Sequence, residues 1–147
     1  MLSQVTDVHQ VLFRHCIPAE SSSQNKKSPE EVIFCYHVLM KLGIILQSNK
    51  PEHVWNTFRL GITSLKAGHT VEVFLMSEGS ELDAIPDSEY FDISKKVAEF
   101  KELKGTILAC GTCLEIRGKK EATVCPISTM SDLLKMVESS DKVLVFG

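Results

Sequence analysis

From residue 40 onward, apolar and polar positions fall into a repeating order of short apolar runs and helical periods. The stretch KLGIILQ (41–47) is brief and rich in β-branched residues, which predicts a buried strand. Ser48 or Asn49 then offers an N-cap, with Pro51 in the first helical turn. Val54, Phe58, Ile62 and Leu65 recur at helical spacing, and Gly68 supplies a stop. TVEVFLM (70–76) predicts a second strand, and EGSELDAIPDSEY (78–90) a loop with at most one helical turn. Asp92 is placed to cap a helix carrying Ile93, Val97 and Phe100, which ends before Gly105. TILAC (106–110) predicts a third strand and 111–116 a short helix. ATVCPI (122–127) predicts a weaker strand. Met130, Leu133, Leu134 and Val137 mark a last helix, and KVLVFG (142–147) a final strand.

Strands alternating with helices imply βαβ units and a mostly parallel sheet of about five strands. The strands are apolar almost throughout, as burial on both faces requires. Only right-handed crossovers need be considered. Within the 147 residues no internal repeat is visible. A chain of this length fits one domain and buries roughly 68–70% of its unfolded surface without a staple.

Residues 1–39 break the pattern. Val5, Val8 and Leu12 share one face of a short helix, and SSSQNKKSPEE (21–31) reads as a polar linker. The domain is therefore placed at 40–147, behind an N-terminal extension. That extension is read either as a genuine arm or as translated upstream sequence. The second reading follows from Glu30-Glu31-Val32, which a ribosome-binding-like codon run can encode.

Net charge is −3, with no basic stripe, so the sequence gives no sign of nucleic-acid binding. The most apolar stretch, 33–46, is interrupted by His37 and Lys41 and is too short to span a bilayer. No G-x-G-x-x-G is present, so a dinucleotide fingerprint is missing. Five cysteines at irregular spacing do not form a secreted disulfide framework. A reducing, cytoplasmic compartment fits them better.

The chemistry concentrates in ILACGTCLEIRG (107–118), where Cys110 and Cys113 stand three apart. Cys110 ends a predicted strand and begins a predicted helix. In open α/β sheets ligands gather beyond the carboxyl ends of strands. Unpaired amides at a helix start favour an anion, and such positions can lower a cysteine pKa from about 8.5 into the range 3.5–7.5. Cys110 is thus expected to be an uncovered thiolate, with Cys113 nearly one turn further along. Four readings follow. A zinc site wants two close ligand pairs, and only one pair exists here. A thioredoxin-like dithiol site sits early in its fold, whereas this one comes two-thirds along the chain. An inert buried pair is the bland reading, since free cysteine packs as a small hydrophobe. The fourth is sulfur transfer.

The fourth reading comes from resemblance. From residue 40 to 147 the chain resembles the DsrE/DsrF-like family of sulfur-relay proteins. The similarity is carried by KLGIILQSNKPE, LGITSLKAGHTVEVFLMSEG, ILACGTCLEIRGK and STMSDLLKMVESSDKVLVFG. Most telling is a cysteine followed eight residues later by the glycine of Arg117-Gly118. The resemblance implies a three-layer α/β/α fold and assembly into dimers, trimers or hexamers. It also implies one cysteine that carries sulfur as a persulfide between donor and acceptor proteins. Cys110 matches that cysteine, and Cys113 is extra relative to many members. No metal or organic cofactor enters this reading. Two alternatives stay open: a dithiol redox protein using Cys110 and Cys113, and a non-catalytic oligomeric binding protein.

Other residues are read more plainly. Cys125 is expected to be a core residue, and Cys16 and Cys35 to be incidental. His53 and His69 are weighed as bases for a thiolate and read as surface histidines, and Lys50 is read as a positive charge that the loop after the first strand could present at the same sheet edge. Trp55 and Phe58 read as packing or a subunit contact rather than a ligand platform.

Overall fold

The computed structural model describes residues 39–119 and 124–147. Its five strands are β1 (Lys41–Leu46), β2 (Thr70–Leu75), β3 (Thr106–Cys110), β4 (Ile127–Ser128) and β5 (Lys142–Phe146). They form one parallel sheet in the order β4-β3-β2-β1-β5. Four helices join them: α1 (Pro51–Lys66), α2 (Ile93–Glu102), α3 (Gly111–Ile116) and α4 (Met130–Ser139). The expected α/β class with a parallel sheet between helical layers is what the chain adopts.

Strand alternation decides which face each side chain joins. Leu42, Ile44 and Leu46 of β1, Val71, Val73 and Leu75 of β2, and Ile107 and Ala109 of β3 belong to one buried cluster. It is completed by Val54, Phe58 and Ile62 of α1 and by Ile93, Val97 and Phe100 of α2. Phe58 and Phe100 are fully buried, with rings edge to face at 5.4 Å and 75°. Such a pair adds about 0.5–1.5 kcal/mol beyond the area it buries. Gly61 makes this approach fit, because a Cβ there would meet the Phe100 ring at 2.7 Å.

The opposite face is thinner. Its buried cluster is Phe74, Cys110 and Met136, with Ile45, Leu108, Cys113 and Leu133 packed partly buried around it. α4 covers this face, and Ser140 just after it crowds Gly43, where a Cβ would lie 2.8 Å from Ser140 Oγ. The apolar stripe that marked the last helix is largely uncovered: Met130, Leu134 and Val137 are exposed, as are Leu144 and Val145 of β5.

Several local expectations need correction. Lys50, not Ser48 or Asn49, precedes α1. Ser48 Oγ instead accepts the Lys50 N–H at 3.1 Å, and Asn49 turns to Glu81. Asp92 stands at the start of α2 but accepts the Trp55 indole N–H at 3.2 Å, which leaves Asp87 to accept the Ser94 N–H at 2.8 Å. The segment Ser77–Ala84 is a 3₁₀ helix rather than a loop. The weak strand at 122–127 is observed only as Ile127–Ser128, since 120–123 lie outside the described residues. The short N-terminal helix, the linker and the status of residues 1–39 also fall outside them.

Candidate functional site

Cys110 is the last residue of β3 and stands immediately before α3. Its partner across the sheet is Ser128 of β4. Gly111 lets the start of α3 lie close to β4: a Cβ there would lie 2.8 Å from Ile127 Cγ2. Both Cys110 and Cys113 are free thiols.

The expectation of an uncovered, easily ionised Cys110 is not met. Its side chain follows strand parity onto the thinner face, beside Phe74 and Met136, and is only 2% exposed. Burial pushes its thiol pKa up, and a hydrogen bond with the Cys113 thiol pushes the same way. The backbone N–H groups of Cys113 and Thr112 do pull it down, as a helix start should, but they are outweighed.

Cys113 is half-buried and better placed for reaction. Its Sγ accepts the Ser77 backbone N–H at 3.2 Å, a contact spanning 36 residues of sequence. Ser77 holds a left-handed backbone with φ of 51°, unusual for a residue with a side chain. Arg117 closes the end of α3 by donating from Nη1 to the Cys113 carbonyl at 3.1 Å. Its Nε lies 3.6 Å from Glu81, and Glu81 also accepts Asn49 Nδ2 at 3.0 Å. A chain of contacts thus ties the β1–α1 loop, the 3₁₀ helix and α3 together at the carboxyl edge of the sheet.

The remaining candidates separate from this pair. His69 precedes β2, and its Nδ1 accepts the Met40 N–H at 3.3 Å. In a parallel sheet that is the amino edge, opposite Cys110, so His69 cannot act on the thiols. His53 lies in the first turn of α1 with Nδ1 buried. Lys50 is exposed beyond β1, two strands from β3. Cys125 packs at the edge of the main core, and burial with the Asp83 charge pushes its thiol to about 11. Trp55 is a packing residue, with the Phe91 ring at 5.6 Å and the Arg59 guanidinium 4.1 Å above it. Cys16 and Cys35 lie outside the described residues. Ser77 and Glu81 went unread in sequence, because nothing local shows that the turn after β2 lies against α3.

A parallel α/β domain with a thiol pair where one strand's carboxyl end passes into a helix defines the class. Within that class the chain belongs to the DsrE/DsrF-like family, whose model matches residues 40–146. It is 29% identical over 117 residues to the uncharacterized protein MJ0989 of Methanocaldococcus jannaschii, covering 73% of this chain and all of that one. It is also similar to the crystal structure of the ychN protein from E. coli, with a TM-score of 0.64 and 21% identity over 74% of this chain and all of that one. The latter likeness bears on the fold. Among the described residues no helix is long and apolar enough to cross a membrane.

Proposed function

We propose that this protein is a cytoplasmic sulfur carrier of sulfurtransferase type. It takes sulfane sulfur from a donor protein as a persulfide on the Cys110–Cys113 pair and passes it to a partner protein. The observation that carries the reading is the pair itself: two free thiols in hydrogen-bonding contact at the carboxyl edge of the sheet. Family membership supports it. The chemistry is thiol–disulfide exchange with one more sulfur atom. A cysteine thiolate attacks the outer sulfur of a donor R–S–SH, the R–S⁻ thiolate leaves, and an acceptor thiolate later removes the outer sulfur in the same way. The protein's own sulfur suffices for each step.

Incubating the protein with inorganic polysulfide and measuring intact mass tests the reading. One added sulfur atom that is lost in the Cys110→Ser/Cys113→Ser double variant is expected. Persistence of that sulfur in the double variant, or no uptake at all, defeats it. The thiol contact also favours a second reading, a redox switch. Mild oxidant would then remove two hydrogen atoms, and either single cysteine variant would abolish the change.

We further propose that the protein self-associates through its thinner face. Exposed Met130, Leu134 and Val137 on α4 and Val145 on β5 support this, since large apolar patches commonly mark contact sites. Sedimentation of the wild type as a monomer at all concentrations would end this part of the reading.

A further inference from the structure

The structure assigns different tasks to the two thiols: Cys113 is the sulfur that meets the donor, held by the backbone amide of Ser77, and Cys110 is a positioning thiol behind it. This rests on the sulfur-carrier reading above.

Access is the first reason. In-line attack on a donor's outer sulfur requires the attacking sulfur to reach the surface. Cys110 is sealed between Phe74 and Met136, whereas Cys113 is half-buried. The second reason is the donor aimed at Cys113. The Ser77 N–H points at its Sγ from 3.2 Å, and that amide is rigidly mounted. The Met76 N–H next to it is bound to the Leu46 carbonyl at 3.0 Å. The Ser77 carbonyl accepts the Ser80 hydroxyl at 2.7 Å, and the Gly79 N–H is bound to the Gln47 carbonyl at 3.0 Å. Backbone strain at a residue such as Ser77 persists only where its surroundings over-determine it, and it gathers at functional sites. A preorganised donor is most useful where charge develops. During delivery, Cys113 Sγ becomes the leaving thiolate, and the Ser77 amide already faces it.

The step balances without an oxidant. Cys113, having given its proton to solvent, attacks the outer sulfur of R–S–S–H. A new S–S bond forms at Cys113 Sγ and the bond to R–S breaks. R–S⁻ leaves with the electron pair and takes up a proton from solvent. Cys110 keeps its proton throughout, and its S–H hydrogen bond orients Cys113. Burial pushes the Cys110 thiol pKa up, which agrees with that role.

The full-length protein is treated with inorganic polysulfide, trapped with iodoacetamide and digested. Fragmentation of the peptide 105–117 then assigns the added sulfur to residue 110 or 113. Sulfur on Cys113 is expected. Uptake should fall at least about tenfold in Cys113→Ser and by a clearly smaller factor in Cys110→Ala, which removes the positioning hydrogen bond but not the attacking sulfur. In untreated wild type, Cys113 should alkylate at least about tenfold faster than Cys110. In Cys110→Ala, the pH profile of Cys113 alkylation should move to higher pH, since the thiolate loses an S–H donor. Sulfur confined to Cys110, faster alkylation of Cys110, or an unmoved pH profile overturns this division of labour alone. No uptake on either thiol overturns the sulfur-carrier reading and this step with it.

Discussion

Gly79→Ala tests whether the mounting of Ser77 is as tight as it looks. A Cβ at residue 79 would lie 2.3 Å from the Leu46 carbonyl oxygen and 2.9 Å from its carbon. Leu46 is itself fully buried, at the end of a strand flanked by two others, so it cannot retreat. The 3₁₀ helix must lift instead. Overpacking of this kind costs about 1–3 kcal/mol. Lifting also strains the Gly79-to-Gln47 and Met76-to-Leu46 hydrogen bonds, each worth about 1 kcal/mol net. Alanine returns about 0.4–1 kcal/mol by restricting the unfolded chain. The net loss is about 1–3 kcal/mol. With a urea slope of about 2 kcal/mol/M for a domain of this size, the midpoint should fall by roughly 0.5–1.5 M. Below the transition, the Ser77 amide should be displaced, so the alkylation rate of Cys113 should change while that of Cys125 does not. A midpoint within about 0.2 M of wild type would refute the argument, since that is less than half the smallest fall expected.

Other outcomes follow from the same contacts. Phe100→Ala should destabilise the domain by about 3–5 kcal/mol in urea melts, because Phe100 is fully buried and packs against Phe58. Cys125 should alkylate with a midpoint near its raised value of about 11, and Asp83→Asn should bring it down in part, since the Asp83 charge adds to the burial that holds it up. Asp132 accepts the N–H and hydroxyl of Thr129 at 2.9 and 2.8 Å, which with Lys135 lowers its carboxyl to about 2. A carboxyl depressed in the folded state contributes stability above its ordinary value of 3.8, and that contribution is lost as pH falls through about 2. Carboxyl NMR should show this titration, and Thr129→Val should move it upward.

Much of the architecture was legible because its signals are local. The strands, the period Val54-Phe58-Ile62 and the stop at Gly68 are each carried by a few adjacent residues, and β3 and α3 fall where they were expected. Legibility ended where a residue has two competing partners across space. Asp92 reads as a cap, but Trp55 is close enough to take its carboxylate, so Asp87 serves α2 instead. Asn49 reads as a cap, but Glu81 reaches it from another loop. The stripe on α4 marks a helix, but helical spacing shows which residues share a face, not what lies opposite that face. In the chain itself only Met136 is buried in this helix.

The candidate site shows the same competition in its sharpest form. Cys110 has two addresses, as the last residue of a strand and as the residue before a helix. The helix start promises amides and an ionised sulfur. The strand promises a direction, set by alternation: Ile107 and Ala109 go to one face, Leu108 and Cys110 to the other. Strand parity decides the side chain's surroundings, and those surroundings are apolar. The helix that follows has only six residues, so its start and end lie within two turns and its field is weak. Two amides cannot restore what removal from water costs an anion, so the thiol at 110 stays protonated. Three residues on, the strand no longer dictates direction. Cys113 is only half-buried at the rim of the same cluster, where a rigid amide from a distant loop meets it. The motif marks the site correctly, and parity through β3 shows which of its two sulfurs faces the core.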